Sequence, residues 1–435
     1  MTSTTRSAAT STPSQSRRAA ARPAPRAGRV DQAQMRSANM GLILRHLRAH
    51  GGRSRARLAA ETGLSKATMS SLIGDLAERG LVREGQLDRA GTVGRPGLTV
   101  DLDGRRVCGV GVEINVDYIS LAAVDLAGSV IRESATPIDV PRLSVEAVLD
   151  RVASLVNRML DSIREAGLMV IGLTVSPPGV IDYDAGAVRF APNLGWRSIP
   201  IVSELSHRIG PDAPPIHLEN DAKLGAVAEY ATHASDGVDD LLYLSGDVGV
   251  GAGIIAEGQL IRGWSGFSGE VGHLPLDPEG RQCGCGRTGC WETIVGLAAF
   301  LRLAASEDDE VHDPSRPLED RLHTLHARAD AGDERTLQAL RTITDHLGRG
   351  LSILVDVLNP RVIVLGGYFA FFGDYLLEPL GAALEARRMD EGSGARLVVS
   401  RLGMSSTARG GAIVALETVF DDPTLVGTAH ISPRG

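Results

Sequence analysis

Three of the four cysteines in the chain lie in one short stretch, HLPLDPEGRQCGCGRTGCWE, residues 273–292. This stretch contains one imidazole and three thiols, at His273, Cys283, Cys285 and Cys290. The glycines between them allow the backbone to fold tightly about one point. One histidine and three cysteines form a closed tetrahedral donor set that suits Zn²⁺. Because four protein donors leave no position for an activated water, we expect a structural zinc ion.

Three other roles for these cysteines are disfavoured. A redox pair is disfavoured because Cys283 and Cys285 lack the spacing of the usual Cys-x-x-Cys motif. A disulfide framework is disfavoured because the chain has only four cysteines, three of them crowded together. Reduced cysteines packed as small hydrophobic side chains would leave the histidine and the glycines unexplained.

Carboxylates and an amide also occur where they could bind a ligand. Glu270 and Glu292 flank the cysteine stretch, and Asn220 and Asp221 follow the short apolar run 216–218. The carboxyl end of a strand is where α/β folds place ligand-binding groups. Asp221 by itself would serve equally well as a helix N-cap. Its neighbours favour a functional role.

A glycine-rich segment, GDVGVGAGII at 246–255, follows an apolar strand. Glycines there allow positive φ and close approach of the backbone, as a phosphate-binding hairpin needs. A glycine-rich β-turn explains the segment nearly as well.

Alternating strands and helices must position these groups. Apolar runs predict strands at 107–112, 119–125, 130–136, 170–175, 216–218 and 241–244. One helix is predicted at about 145–166, and another follows Asp221 and ends at residue 230. This alternation predicts an α/β architecture with substantial parallel sheet. The acidic segment Glu307–Asp320 is predicted to be a solvated loop.

Residues 35–103 follow a different pattern, with three helices and two short strands. The first helix is predicted to end at Gly51 and the second at about Glu61. Ser65 can cap the third helix. Two apolar runs then flank a loop that contains Arg95. Three helices followed by a two-stranded wing indicate a winged helix-turn-helix.

The third helix of this domain has a polar face. Its candidate DNA-contacting residues are Ser65, Lys66, Thr68, Ser70 and Ser71. We expect this helix to enter the major groove, and Arg95 to reach the phosphate backbone or the minor groove. The alternative is a helical protein-contact module with a solvated polar face.

The charge distribution favours the DNA-binding interpretation. Residues 1–106 contain nineteen Lys and Arg against eight Asp and Glu, whereas the remaining residues contain 26 basic against 45 acidic. One end of the chain therefore suits a polyanion. Residues 1–34 are rich in Ser, Thr, Ala, Pro and Arg without a hydrophobic period, which predicts a disordered basic arm.

Length and hydropathy bound the class of protein. With 435 residues, of which 43% are hydrophobic, the chain can form more than one globular domain. It has no apolar run near the ~20 residues that span a bilayer, and no apolar core of a secretory signal at its start. We therefore expect a cytoplasmic protein that does not insert into membranes.

Four motifs together resemble the ROK family, which contains sugar kinases and sugar-responsive repressors. They are GEVGH at 269–273, CGCGRTGCWE at 283–292, END at 219–221 and VIVLGG at 362–367. The resemblance covers about residues 107–420 and implies that residues 107–435 form a two-lobed, actin-like domain with a sugar in the cleft. By matching motifs it assigns the sugar site to Gly179, Asn193, Asn220, Asp221, Glu270, His273 and Glu292. His273 would ligate zinc through one nitrogen and offer the other to the sugar.

Departures from the kinase pattern favour a regulator over an enzyme. Kinases of this family carry an Asp-x-Gly-x-Thr phosphate loop, in which this chain has Asn115 at the Gly position and Asp117 at the Thr position. Val248 stands where the second phosphate segment of kinases has Thr. Asp221, the general base of such kinases, is retained, but a sugar pocket needs this carboxylate without phosphoryl transfer. Family kinases also lack an N-terminal winged helix.

The sequence thus predicts a sugar-responsive transcriptional regulator without catalytic residues. We expect a repressor that binds double-stranded operator DNA as a homodimer or homotetramer, contains structural Zn²⁺ and is released by a sugar. One alternative is an ATP-dependent hexose or N-acetylhexosamine kinase of the same family. Another is a regulator that responds to a protein partner or a phosphosugar.

Overall fold

The computed structural model describes residues 32–87, 98–233, 236–247, 249–264, 266–313, 315–387 and 394–428. Arg95, Val248 and the basic arm up to residue 31 lie outside the described residues. The described chain combines two five-stranded sheets, two three-stranded sheets and thirteen α-helices. This arrangement confirms the predicted α/β class.

An N-terminal domain contains three helices and a small antiparallel sheet. Its helices are α1 (Gln32–His50), α2 (Arg55–Thr62) and α3 (Lys66–Glu78). Its strands are β1 (Arg53–Ser54), β2 (Val82–Leu87) and β3 (Leu98–Leu102), in the order β1-β3-β2. The predicted apolar face of α3 is buried in the domain core. Helix α1 begins before the predicted start at Met35, because residues 32–34 favour a helix but carry no apolar signal.

The first lobe is built on a mixed five-stranded sheet. In chain order its elements are β4 (Val107–Ile114), β5 (Tyr118–Asp125), β6 (Val130–Pro137), α4 (Val145–Glu165), β7 (Met169–Ser176), β8 (Val180–Asp182), β9 (Ala187–Ala191), β10 (Trp196–Ile199), α5 (Ile201–Ile209) and β11 (Ile216–Leu218). The sheet order is β11-β7-β4-β5-β6, with β11, β7 and β4 parallel. Strands β8 to β10 form a separate antiparallel sheet that sequence periodicity does not predict, because each strand is too short to show a period.

The second lobe repeats this plan around another five-stranded sheet. Its elements are α6 (Asp221–His233), β12 (Leu241–Gly246), β13 (Val250–Ala256), β14 (Gln259–Leu260), α7 (Glu292–Val295), α8 (Leu297–Ala304), α9 (Leu318–Asp330), α10 (Glu334–Leu358), β15 (Val362–Gly367), α11 (Tyr368–Phe371), α12 (Gly373–Glu385) and β16 (Arg396–Val399). The sheet order is β14-β13-β12-β15-β16. The predicted loop 307–320 is only partly solvated, because Val311 is fully buried and its carbonyl oxygen accepts a hydrogen bond from Arg321 Nε at 2.7 Å.

The last helix, α13 (Ser406–Asp421), runs from the cleft between the lobes to the N-terminal domain. It packs directly on the backbone of β4, where a Cβ atom at Gly111 would lie 1.9 Å from the carbonyl oxygen of Ala408. Only glycine permits such close packing of a helix on a strand. The end of α13, including Phe420, belongs to the core of the N-terminal domain.

No helix among the described residues is both long and apolar enough to cross a lipid bilayer.

Candidate functional site

A cavity of 400 Å³ lies between the two lobes. It is bounded by the turn after β7, strand β9, the start of α6, the β12–β13 hairpin and the segments around residues 270 and 290. All seven residues that the sequence assigns to sugar binding line it: Gly179, Asn193, Asn220, Asp221, Glu270, His273 and Glu292. The fold therefore brings together polar groups that are far apart in the sequence.

Asn220 and Asp221 reach the cavity at the start of α6. Asn220 Oδ1 accepts the backbone N–H of Lys223 at 3.2 Å, so the capping role falls to Asn220. Asp221 Oδ1 accepts the N–H of Ala222 at 2.8 Å. Burial raises the pKa of Asp221. A poorly solvated carboxyl group facing a cavity is a strong hydrogen-bond partner for hydroxyl groups of a ligand.

A short 3-10 turn at Val271–His273 carries Glu270 and His273 to the opposite wall. The preceding Gly269 has φ +92°, and a Cβ atom there would lie 1.9 Å from the carbonyl oxygen of Ala252. The turn can approach β13 this closely only because residue 269 is glycine. Burial raises the pKa of Glu270 to about 7.

The predicted metal ligands meet at one point beside the cavity. Ligand atoms of His273, Cys283, Cys285 and Cys290 all lie within 4.8 Å of one another. The Sγ atoms of Cys285 and Cys290 are 3.7 Å apart, and Cys283 Sγ is 3.7 Å from His273 Nδ1. Tetrahedral zinc with Zn–S bonds of about 2.3 Å requires sulfur atoms about 3.7 Å apart. The cluster therefore fits the size, geometry and donor preference of Zn²⁺.

The two nitrogens of His273 face different groups. Nδ1 lies beside Cys283 Sγ, whereas Nε2 lies 3.8 Å from Glu270 Oε2 at the cavity. Two N–H groups approach the sulfur atoms: the backbone N–H of Cys285 is 3.4 Å from Cys283 Sγ, and Arg287 Nε is 3.4 Å from Cys285 Sγ. Such contacts orient and stabilise thiolate ligands of a metal.

Glu292 lies between the cluster and the cavity. Its carboxylate Oε1 is 2.7 Å from Cys283 Sγ. The preceding Trp291 is fully buried, and its Nε1 donates a hydrogen bond to the carbonyl oxygen of His346 at 3.1 Å. This anchor holds α7 where Glu292 can line the cavity.

Sequence reasoning missed a buried charged network behind the cavity wall. Glu219 accepts hydrogen bonds from Tyr183 Oη at 2.5 Å and from Arg262 Nε at 2.6 Å. Lys223 is 1% exposed and donates from Nζ to the carbonyl oxygen of Gly266 at 2.5 Å. The chain contains only two lysines, so a lysine two residues after the END motif was a usable signal.

A second cavity, of 630 Å³, adjoins the first, and Asp247 lines both. Burial raises the pKa of Asp247 to about 6. Glu113 also lines the second cavity and accepts hydrogen bonds from Asn115 Nδ2 at 3.2 Å and Tyr118 Oη at 2.9 Å. Burial raises the pKa of Glu113 to about 8. The junction of the two cavities is therefore rich in carboxyl groups.

Asp117 lies in the turn between β4 and β5 and faces the second lobe. Its Oδ2 is 4.0 Å from Nη1 of Arg321 in α9. Its Oδ1 is buried without a hydrogen-bond partner among the described residues. Burial raises the pKa of Asp117.

The predicted DNA-contacting helix α3 has its polar side exposed. Ser65 caps it, since Ser65 Oγ accepts the backbone N–H of Thr68 at 3.1 Å. Lys66 and Ser70 point to the exposed side of the helix. Ser65, Lys66 and Ser70 are exposed, whereas Thr68 is half-buried.

Ser71 has a contact within the domain as well. Its Oγ accepts a hydrogen bond from Arg36 Nη2 of α1 at 3.0 Å, and the same guanidinium pairs with Asp75. The wing residue Arg95 lies outside the described residues, between the ends of β2 and β3.

Comparison with known proteins identifies both parts of the chain. A model described as the ROK family matches residues 109–418, and a model described as the MarR family matches residues 41–90. The xylose repressor of Bacillus subtilis (strain 168) is 29% identical over 400 residues, which cover 91% of this chain and 99% of the repressor. A glucokinase of Halalkalibacterium halodurans is 30% identical over 310 residues, which cover 69% of this chain and 93% of the kinase.

A solved structure shows the same fold over nearly the whole chain. It is that of a ROK family transcriptional regulator described as a homologue of the Escherichia coli MLC protein, with a TM-score of 0.71 and 23% identity over 89% of this chain and 97% of that one. The chain therefore belongs to the ROK family, with a MarR-like winged helix-turn-helix domain ahead of its ROK domain.

Proposed function

We propose that the chain is a sugar-responsive DNA-binding transcriptional regulator, and specifically a repressor of genes for carbohydrate uptake or catabolism. One observation carries this proposal: a winged helix-turn-helix with an exposed polar α3 is joined to a cavity lined by carboxyl and amide groups. The xylose repressor of Bacillus subtilis, which matches both parts, supports it. The alignment with the glucokinase covers 69% of the chain, which corresponds in length to the ROK domain alone.

The sugar would bind in the 400 Å³ cavity. Its hydroxyl groups would form hydrogen bonds with the seven residues that the sequence assigns to sugar binding and that line this cavity. Polyhydroxylated ligands need such convergent polar groups, because each buried group left unpaired costs about 1–3 kcal/mol. Zn²⁺ in the cluster would bind His273 Nδ1 and leave Nε2 for the sugar. The ion would be structural, since the four protein donors complete its coordination.

The exposed side of α3 would contact operator DNA. Lys66, Thr68 and Ser70 would lie nearest to the bases and phosphates, with Ser65 capping the helix. Ser71 would contribute less than predicted, because it already bonds Arg36. Arg95 would add a contact from the wing. We propose a homodimer or homotetramer on a pseudo-palindromic operator, since symmetric regulators bind repeated half-sites.

Helix α13 offers a direct connection between the sugar site and the DNA-binding domain. In its first turn, Thr407 Oγ1 donates a hydrogen bond to the carbonyl oxygen of Asp221 at 3.4 Å. At its other end, Phe420 is buried in the core of the N-terminal domain. A rigid helix that contacts both sites can transmit a change in lobe closure. We propose that sugar closes the lobes and that α13 then moves the winged helices out of register with the operator.

The structure favours regulation over phosphoryl transfer by this chain. Asp247 lies at the junction of the two cavities, where the phosphates of a nucleotide would have to approach, and Asp117 is close enough for its charge to act on Asp247. Carboxylates there would repel a triphosphate. We therefore propose that the chain is not a kinase. Release of ADP on addition of sugar and ATP would contradict this.

The test of the function is selection of genomic fragments by the purified protein at near-physiological salt, with and without D-xylose, D-glucose and N-acetyl-D-glucosamine. Salt is needed because basic segments retain any DNA at low ionic strength. We expect a few inverted repeats to be retained and one sugar to release them. Uniform retention that no sugar changes would contradict a role as sequence-specific regulator.

Asp221→Asn separates the two halves of the proposal. The variant should bind the operator like the wild type, because Asp221 is far from α3 in the fold. Its sugar response should weaken by about tenfold or more, because a charge-assisted hydrogen bond is lost. If the response were unchanged, Asp221 would not belong to the sugar site.

A further inference from the structure

The cavity between the lobes has an excess of acidic side chains. Its described lining includes the four carboxyl groups of Asp221, Asp247, Glu270 and Glu292. Two guanidinium groups also line it, but each already faces another group: Arg189 Nη2 is 3.5 Å from Asp182 Oδ2, and Arg287 Nε donates to Cys285 Sγ. A zinc ion held by three thiolates would leave the adjoining cluster negative as well.

Further carboxyl groups lie directly behind the cavity. Burial raises the pKa of Asp247, and the charges of Asp221 and Asp117 raise it further. Burial also raises the pKa of Glu113, and the charge of Asp247 raises it further. These side chains are therefore close enough to affect one another. Asp117 Oδ1 has no hydrogen-bond partner among the described residues.

The groups around the start of α6 that could bind phosphate are already occupied. The N–H groups at the start of a helix attract phosphate, but at the start of α6 those of Ala222 and Lys223 are taken by the side chains of Asp221 and Asn220. The Lys223 ammonium is buried, does not line the cavity and donates to the carbonyl oxygen of Gly266. No described cationic group facing the cavity therefore remains without an anion or a metal ligand beside it.

We propose that the cavity selects an uncharged sugar and rejects sugar phosphates, and that Asp247 sets this preference. The proposal rests on the proposed function, because it names the class of sugar for the same cavity. Neutral hydroxyl groups donate hydrogen bonds to carboxylates. A phosphate group carries about −1.5 to −2 charges at neutral pH, and ionised carboxylates repel it.

The size of the cavity leaves a phosphate group no distant position. A roughly spherical space of 400 Å³ is about 9 Å across, which is close to the Debye length of about 8–10 Å at physiological ionic strength. A phosphate anywhere in it would therefore lie within range of the charges of the acidic side chains. Free sugars escape this repulsion.

Titration calorimetry on the full-length protein tests the proposal. The probes are D-glucose and N-acetyl-D-glucosamine, each paired with its 6-phosphate, and D-xylose, paired with its 1-phosphate. We expect the sugar that binds to have a Kd at least tenfold lower than its phosphate, a ratio of about ten corresponding to about 1.4 kcal/mol. Asp247→Asn should narrow this ratio by about tenfold.

Glu319→Gln is the matched control, because Glu319 lies at the rim of the second cavity with its side chain 66% exposed. It should leave the ratio unchanged. Tighter or equal binding of a phosphate by the wild type would overturn the proposal, as would an unchanged ratio in Asp247→Asn. If no sugar bound in either form, the sugar-binding function itself would fail, which is a different result from a reversed ratio.

Discussion

His273 connects two kinds of chemistry at the scale of single residues. Its Nδ1 lies in the cysteine cluster and its Nε2 faces Glu270 at the cavity. A metal bound to one nitrogen of an imidazole fixes its tautomer and orientation. The metal would therefore contribute to sugar binding without contacting the sugar.

Cys285→Ser tests this connection. Serine is a poor zinc ligand, so the variant should lose the roughly one zinc ion per chain that we expect from elemental analysis of the wild type. Its sugar affinity should fall by about tenfold, since His273 loses its anchor. The measurement combines zinc content with titration calorimetry.

Cys108→Ala is the control for this variant. Cys108 is fully buried on β4 and lies outside the cluster. Its replacement should cost about 1 kcal/mol of stability while zinc content and sugar affinity remain. Normal sugar binding by zinc-free Cys285→Ser protein would show that the cluster does not support the sugar site.

Glu113 gives a prediction about pH at the same scale. Its pKa in the folded protein is about 8, above the ordinary value of 4.5. The folded state therefore binds this proton more tightly than the unfolded chain does. The resulting stabilisation is full below about pH 4.5 and is lost as the pH rises through about 8, at up to about 1.4 kcal/mol per pH unit.

Glu113→Gln should remove this dependence, because glutamine does not titrate. We expect the free energy of unfolding of the variant to fall less than that of the wild type between about pH 5 and pH 8, by on the order of 2 kcal/mol. Urea denaturation at several pH values measures it. Parallel pH profiles would show that Glu113 is ionised in the folded protein at neutral pH.

At the scale of elements, the contact between α13 and β4 organises the molecule. Carbonyl oxygens of the helix lie where Cβ atoms at Gly109 and Gly111 would be, so no side chain separates helix and strand. The same helix contacts the backbone of Asp221 at its start. A change in this packing should therefore affect both stability and the sugar site.

Gly111→Ala should displace α13, because the new Cβ would lie 1.9 Å from the carbonyl oxygen of Ala408. We expect a loss of about 1–3 kcal/mol or more in the free energy of unfolding. Gly381→Ala in α12 is the matched control, since its Cβ would meet no atom within 4 Å. That variant should be neutral or more stable by up to about 1 kcal/mol, because alanine favours a helix. Equal effects in thermal or urea denaturation would contradict the proposed close packing.

At the scale of the whole molecule, the N-terminal domain is held against the end of α13 by charge pairs and apolar contact. Arg45 pairs with Asp421 and Arg48 with Glu417. The guanidinium of Arg48 also lies 4.1 Å from the ring centre of Phe420. These contacts set the position of the DNA-binding helices relative to the cleft.

Glu417→Arg should weaken this connection by placing two arginines opposite each other. We expect operator binding to persist. The ratio of the operator Kd with sugar to the operator Kd without sugar should fall severalfold, because an exposed charge pair contributes up to about 1 kcal/mol. Adding Arg48→Glu should restore part of the ratio by re-forming the pair with reversed charges. Fluorescence anisotropy with labelled operator measures both. An unchanged ratio in the single variant would exclude this interface from the coupling.

Much of the site follows from local sequence. The cysteine cluster is predicted because its ligands are close in the chain and their spacing is specific, and α3 is predicted because its cap and apolar stripe are local. Glu113, Asp247 and Lys223 were not assigned to the site. Their environments depend on neighbours from other elements, and burial at a junction of two lobes has no local pattern.

The sequence by itself determined the main strands of the first lobe, the histidine and cysteines of the cluster, the DNA-binding domain and the family, because each depends on short-range periodicity, spacing or motifs. Only the tertiary structure decided that Asp247 joins two cavities, that Asp117 faces Arg321 and that α13 links the cleft to the N-terminal core. Contacts between residues hundreds of positions apart depend on how the lobes pack. The packing of whole surfaces therefore decides them, and no single segment encodes it.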